Sequence, residues 1–275
     1  MPAEAFYPRL PVLDPATRGA PYRFAALGFT LLPNVAEQYG LEDARGYDPM
    51  TLEPLARTLP LWSVPMGPWF NRVDDPTRPF LSFLNVRWLL APSDAPIPEG
   101  WRELAAGGGT RLLENPRVLP RAFAPRRYRG EPDPERRLEL LATISDFGES
   151  GVVAESTGEG WIENGTADVA IAAYAGRRLA VTVTAREPAL VATSVPAWPG
   201  WKADLDGRPV EALSFNHAFL AYRVPAGSHR LTLRYGPGSA RFGLAISLAG
   251  VAACVVLLWR TRPAKPYSGS ATTTV

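Results

Sequence analysis

Residues 179–235 read LAVTVTAREPALVATSVPAWPGWKADLDGRPVEALSFNHAFLAYRVPAGSHRLTLRY, and this stretch decides the fold. Apolar and polar residues alternate along it, as in Leu179, Val181 and Val183, and again in Leu231, Leu233 and Tyr235. A period of two sends successive side chains to opposite faces of a strand, so one face meets a core and the other meets water. The pattern predicts strands at residues 179–185, 189–195, 202–206, 210–215, 219–224 and 230–235. Similar runs lie upstream at 152–155 and 168–174. Turn pairs separate the runs: Ala175-Gly176, Asp206-Gly207 and Ala226-Gly227. Asp206-Gly207 is the strongest of these, because both residues tolerate positive φ. It predicts a two-residue hairpin joining 202–205 to 209–213. Short strands at regular spacing predict an antiparallel, jelly-roll-like β-sandwich over residues 149–237.

Immediately C-terminal, residues 242–259 read FGLAISLAGVAACVVLLW, 18 residues with no charge and no proline, followed by Arg260, Arg262 and Lys265. As a helix the run is roughly 27 Å long, close to the hydrocarbon thickness of a bilayer. It predicts one transmembrane helix, with residues 260–275 as a disordered cytoplasmic tail. Gly243, Ser247, Gly250 and Cys254 fall on one side of that helix. Such a small-residue stripe permits close packing of other transmembrane helices. Leu244, Leu248, Val251, Val255 and Leu258 form another side. The flank before the run is also basic, with Arg230, Arg234 and Arg241, so charge alone does not set the orientation. The first residues carry no basic region followed by an apolar one. Two arrangements remain open: a tail anchor with the body in the cytoplasm, or upstream spans that deliver the body outside.

N-terminal to the sandwich, residues 22–148 mix strand and helix signals, after an extension at 1–21. Strands are predicted at 22–27, 86–91, 101–105, 110–114 and 121–125. A helix is predicted at 50–59, where Asp48-Pro49 supplies a cap and a first-turn proline. Another is predicted at 134–144, with leucines at 138, 140 and 141, and a helical turn at 80–84. The class is therefore α+β: a mixed α/β N-terminal part, a β-sandwich C-terminal part and one membrane helix.

Composition excludes several functions. A net charge of +2 gives no nucleic-acid footprint. The single cysteine, Cys254, lies in the apolar run, so neither a disulfide framework nor a thiolate metal site is expected. His217 and His229 have no carboxylates placed near them by sequence, and a structural role is expected for both. No nucleophile elbow, phosphate loop or dinucleotide fingerprint is present. Gly107-Gly108-Gly109 reads as a hairpin loop. Asp204 and Asp206 share a strand face, but the turn accounts for Asp206 and solvent exposure beside Lys202 accounts for Asp204. Asn34, Tyr39, Tyr47 and Asp48 form a polar-aromatic cluster, with Asp48 read as a cap and Tyr47 as a core aromatic. Trp198, Trp201 and Tyr222 are candidates for glycan binding, since aromatic faces stack on sugars, but core packing, which a small sandwich needs, is the preferred role. No catalytic or metal-binding residue and no cofactor is expected.

Several spaced motifs then carry a resemblance. Pro199 to Lys202 (PGWK), the Asp206-Gly207 hairpin, Pro225 to His229 (PAGSH), a strand ending at Tyr235, Pro237 and a span from Gly243 occur in that order. Upstream stand LLPNVAEQYGLEDARGYDP (31–49), LNVRWLLAP (84–92) and NPRVLPRAF (115–123). The chain resembles the bacterial membrane protein YfhO family over most of residues 22–260. That family is similar to multi-span glycosyltransferases that use polyprenyl-phosphate-linked sugars. The resemblance implies an extracytoplasmic body, the last of many spans, and a role in glycosyl transfer to cell-envelope polymers. The catalytic acid of such enzymes sits between early spans, so the resemblance implies a non-catalytic portion here. Its partners would be the lipid bilayer, other transmembrane helices and an envelope glycan. The alternative is a self-standing, membrane-anchored module that binds glycans or a protein.

Overall fold

The computed structural model describes residues 7–17, 21–46, 50–65 and 71–260. The chain divides into two units, Met1–Tyr235 and Gly236–Val275. Strand is the larger part of its regular structure. In chain order the strands are β1 (Arg23–Ala26), β2 (Glu42–Asp43), β3 (Val64–Pro65), β4 (Asn71–Arg72), β5 (Val86–Pro92), β6 (Arg102–Gly107) and β7 (Thr110–Glu114). Then follow β8 (Ala122–Phe123), β9 (Arg127–Gly130), β10 (Ser150–Val153), β11 (Ile162–Glu163), β12 (Ala167–Ala175) and β13 (Arg178–Ala185). The last are β14 (Ala189–Pro196), β15 (Trp201–Leu205), β16 (Arg208–Val210), β17 (Leu213–Phe215), β18 (Phe219–Val224) and β19 (Gly227–Tyr235). The α-helices are α1 (Asp14–Thr17), α2 (Glu53–Thr58), α3 (Pro79–Phe83), α4 (Pro134–Ala142) and α5 (Gly238–Arg260).

The strands build three main sheets, in the orders β2-β1-β5-β7-β6, β11-β9-β10-β17-β18-β14-β8 and β12-β13-β19-β15-β16. Pairing is mostly antiparallel; β1 runs parallel to β2 and β5, and β9 parallel to β10. The second and third sheets form the sandwich. Leu179, Val181, Val183, Leu231 and Leu233 of the third sheet pack with Val191, Leu220, Tyr222 and Val224 of the second. The second sheet's other face packs on the helices: Leu190, Ala192, Phe219 and Ala221 share a core with Phe80, Phe83, Leu141 and Phe147. Phe83 meets Phe219 edge-on, with ring centroids 4.8 Å apart. A sheet buried on both faces explains why β14 and β18 are apolar at nearly every position. A third core lies on the far face of the first sheet, around Phe24, Trp88, Leu90 and Leu112.

Local chemistry sets the element ends. Asp133 caps α4 by accepting the Arg136 amide at 2.9 Å, and Pro134 opens the helix where an amide proton would have no partner. The Asp206-Gly207 pair has φ of 53° and 80° and links β15 to β16, with Leu205 opposite Arg208, as the sequence predicts. The Gly108-Gly109 pair, at φ 61° and 75°, turns β6 into β7.

Three features differ from the sequence reading. The expected strand at 210–215 is two strands, β16 and β17, which enter different sheets. β8 and β9, from the N-terminal part, join the second sheet beside strands of the C-terminal part, so hydrogen bonds and core cross residue 148. The expected helix at 50–59 is shorter, as α2, and Tyr47, Asp48 and the tail at 261–275 lie outside the described residues.

The second unit holds α5, 23 residues long, with a mean hydropathy of 2.3 over an 18-residue stretch. It is long and apolar enough to cross a membrane. Gly243, Ser247, Gly250 and Cys254 all lie on it.

Candidate functional site

One cluster of the body's paired charges lies where edge strands of the three main sheets meet. β2, β8 and β12 are the edge strands concerned. Glu42 stands on β2, Arg121 directly before β8, and Tyr174 on β12. The Glu42 carboxylate receives a hydrogen bond from Arg121 Nη2 at 2.5 Å and one from the Tyr174 hydroxyl at 2.6 Å, both on Oε2. Its Oε1 accepts from Arg23 Nε of β1 at 3.0 Å. Arg23 also donates to the Leu84 carbonyl at 2.8 Å and the Ser194 carbonyl at 3.1 Å. Arg121 donates to the Pro21 carbonyl at 2.6 Å, and its guanidinium lies 4.2 Å from the Tyr174 ring centre. The Arg121 side chain is 2% exposed, whereas that of Glu42 is 41% exposed.

These contacts shift the titration of all three groups. Burial alone would raise the Glu42 carboxyl, but Arg23, Arg121 and the Tyr174 hydroxyl overcome it and hold it at about 2. Burial, with the like charge of Arg23, lowers Arg121 to about 10, against the pull of Glu42 and Tyr174. Burial and the neighbouring Glu42 push the Tyr174 phenol up to about 12. At neutral pH Glu42 is therefore an anion between two cations, with a neutral phenol as a third donor.

A cavity of about 490 Å³ opens on this node. Arg23, Glu42, Arg121 and Tyr174 line one part of it, and Trp198, Trp201 and Tyr235 another. Trp201 and Tyr235 are cross-strand partners with ring centroids 5.3 Å apart. A second cavity of about 260 Å³ shares Arg23, Glu42, Pro196 and Trp198, and reaches Arg45, Trp62 and Asn71. The size and mixed lining are those of a small-ligand pocket. A carboxylate offers about four lone-pair directions, and three are used here, so Glu42 retains room for one donor from a ligand.

The structure thus brings together two of the three glycan candidates. Trp198 and Trp201 are half-buried and line the cavity. Trp201 also packs against the sandwich core, so the packing role holds for part of its surface. Tyr222 is a correction: it is 1% exposed, lies opposite Val191 inside the sandwich, and has no face free for a sugar. Burial pushes its phenol up. Sequence reasoning missed Arg23, Glu42, Arg121 and Tyr174. The available signal was an arginine inside each of two short apolar runs, at 22–27 and 121–125.

The remaining polar candidates are structural. Asp206 accepts the Arg230 amide at 2.7 Å and faces His229 Nδ1 at 2.7 Å, bracing the hairpin against β19. Asp204 accepts the Gly207 amide at 3.3 Å and pairs with Arg234 at 3.4 Å. His217 is buried in the β17–β18 turn at φ 74°, and burial lowers its pKa. Asn34, at φ 66°, and Tyr39, whose hydroxyl donates to the Pro8 carbonyl at 3.1 Å, do not line the cavity. Among the described residues no group of three or more His, Cys, Asp or Glu could hold a metal ion.

A sheet-rich body that carries a pocket, followed in the chain by one apolar helix of membrane-crossing length, is the architecture of a membrane-associated protein. A family model described as "Bacterial membrane protein YfhO" matches residues 164–247, from just before β12 into α5. Those residues are similar to the YfhO family, and together with the apolar helix α5 they are consistent with a YfhO-family domain. No curated protein and no solved structure matches the chain.

Proposed function

We propose that this chain is the non-catalytic, extracytoplasmic portion of a YfhO-like membrane protein, and that it presents a glycan to the machinery of glycosyl transfer at the cell envelope. The observation that carries the reading is the 490 Å³ cavity, which sets two tryptophans and a tyrosine beside a charge-polarised carboxylate. Sugars are recognised by the same combination: an aromatic face for the C–H surface and charged acceptors or donors for the hydroxyls. In this reading residues 22–148 and 149–237 act as two parts of one body. Gly243, Ser247, Gly250 and Cys254 pack against further helices of the parent protein.

The competing reading is a self-standing, membrane-anchored binding module. It is favoured by the fact that every residue lining the cavity belongs to the body, so no upstream span is needed to form the pocket. Both readings require ligand in this cavity. The test is a titration of the full chain in lipid nanodiscs with envelope polysaccharide fragments, followed by intrinsic tryptophan fluorescence. Saturable binding is expected, weakened on the order of tenfold by Trp198→Ala, the usual effect of losing a central aromatic contact. Binding unaffected by Trp198→Ala would remove the cavity from the function. Loss of transfer in cells without loss of binding on disrupting the Gly243–Cys254 stripe would favour the multi-span reading over the module.

A further inference from the structure

The outer face of the third sheet carries a row of like charges that the body neutralises only in part. Arg178 of β13 lies opposite Arg234 of β19, and Arg234 lies opposite Lys202 of β15. Directly opposed residues share a face, so the three cations stand side by side across three adjacent strands. All three are exposed. Asp204 pairs with Arg234 at 3.4 Å, while among the described residues neither Arg178 nor Lys202 has a carboxylate partner. Arg230, also exposed, continues the charge along β19. Like charges placed directly opposite one another destabilise a sheet. A row of three is therefore a feature to be explained, and an anionic partner would turn the repulsion into attraction.

The covalent chain indicates where that row must work. Only Gly236 and Pro237 separate Tyr235 from the first residue of α5. A chain spans at most ~3.6 Å per residue, so the four steps from Arg234 to Gly238 cover ~14 Å at full extension. The uncharged run begins four residues into α5, roughly 6 Å further along at the helical rise. Arg234 is thus tethered within ~20 Å of the start of the uncharged run, and Arg178 and Lys202, one strand away on either side, within ~25 Å, as upper bounds. A headgroup layer of about 5–8 Å plus a screening length of about 8–10 Å spans most of that distance.

We propose that the Arg178–Arg234–Lys202 face docks on anionic phospholipid headgroups of the membrane that α5 crosses. The phosphates compensate the cation row, and the body is held down on the bilayer at that edge. The role is distinct from ligand recognition in the cavity. Trp201 and Tyr235, cross-strand partners at the same end of the sheet, have side chains on its inner face and belong to the cavity wall.

The chain contains its own reporter. Lys202 and Lys265 are its only lysines. The full chain is reconstituted in nanodiscs of phosphatidylcholine, or of phosphatidylcholine with phosphatidylglycerol, and acylated with a water-soluble amine reagent. Labelling at Lys202 is read by mass spectrometry. Docking predicts Lys202 labelling several-fold slower in the anionic discs, with the difference abolished at 1 M salt, where screening falls to about 3 Å. It also predicts that R178E/R234E equalises the two lipids. If that variant melts abnormally, R178Q/R234Q replaces it. Equal labelling in both lipids would overturn the proposal. So would protection that ignores both salt and substitution, or protection produced in neutral discs by inorganic phosphate instead of by phosphatidylglycerol.

Discussion

Arg121→Met is the sharpest test of the charged node. The substitution keeps side-chain bulk and removes the guanidinium. Three interactions disappear: the 2.5 Å bond to Glu42, the 2.6 Å bond to the Pro21 carbonyl, and the contact with the Tyr174 ring. Hydrogen bonds involving a charged group contribute about 1.5–3 kcal/mol each, and breaking a buried pair costs about 3–5 kcal/mol. Glu42 is partly exposed and keeps Arg23 and Tyr174, so water and the remaining donors soften the loss. We expect a destabilisation of about 3 kcal/mol, at the lower end of that range. For a body of this size that is a fall in Tm of roughly 6–12 °C.

The assay is thermal unfolding of the full chain in detergent, run for Arg121→Met, Glu42→Gln and the double variant. If the node acts as a unit, Arg121→Met costs much less in the Glu42→Gln background. The pH dependence gives a second reading. Glu42 has a folded pKa of about 2, below its ordinary 4.5, so its contribution is present above pH 4.5 and is lost as pH falls toward 2. Arg121→Met removes one of the causes of that depression, so the variant should lose less stability than the parent across the same window. Additive single variants with an unchanged acid limb would refute the reasoning.

Three further outcomes are expected. Gly207→Val should lower stability by on the order of 1 kcal/mol or more: a Cβ there meets nothing within 4 Å, yet φ of +80° strains a β-branched residue. An unchanged melting curve would count against the turn. Gly151→Ala should be worse, by about 1–3 kcal/mol, because its Cβ would sit 2.2 Å from the Phe215 ring; differential scanning fluorimetry in detergent reads both. The hydrogen bond to Asp206 raises the His229 pKa, while the Arg230 amide first, and His229 after it, lower that of Asp206. The contribution of the Asp206–His229 contact is fullest between the two titrations, fading as pH rises through the folded His229 value and as it falls through that of Asp206. His229→Gln should flatten the neutral-to-alkaline limb of the stability curve, and an identical limb in the variant would remove the ion pair from the account.

The strands at 110–114 and 219–224 were legible to the residue, because alternation or continuous apolar character marks them. The membrane-length helix was legible for a similar reason, since length and apolarity are local properties. β2 and β9 were not. β2 has two residues, and β9 reads Arg-Tyr-Arg-Gly; each is a strand only because a distant partner pairs with it. The glycan candidacy of Tyr222 has the same root. β18 is buried on both faces, with Phe219 and Ala221 in one core and Leu220, Tyr222 and Val224 in the other. Alternation cannot tell an outward aromatic from an inward one in such a strand. Trp198 and Trp201 were found because they lie in a local motif. The node they share a cavity with joins residues 23, 42, 121 and 174, and no local pattern links these.

The position of that node argues for more than a structural tie. Open strand edges invite pairing with other chains, and covering them is a common need. A purely structural ion cluster at three sheet edges would gain from being sealed, because attraction between charges weakens as water enters. Arg121 is sealed. Glu42, the centre of the cluster, is not, and its exposed side lines both cavities. The fold leaves this carboxylate, held between two arginines, reachable and sets aromatic surface on the wall of the same cavity. A ligand hydroxyl donating to Glu42 would fill its remaining lone-pair direction and complete the enclosure of the charge. Stability and recognition then draw on the same contacts. Ligand should therefore raise the melting temperature of the parent chain by more than that of Glu42→Gln, measured at matched fractional saturation, and equal shifts would separate the node from binding.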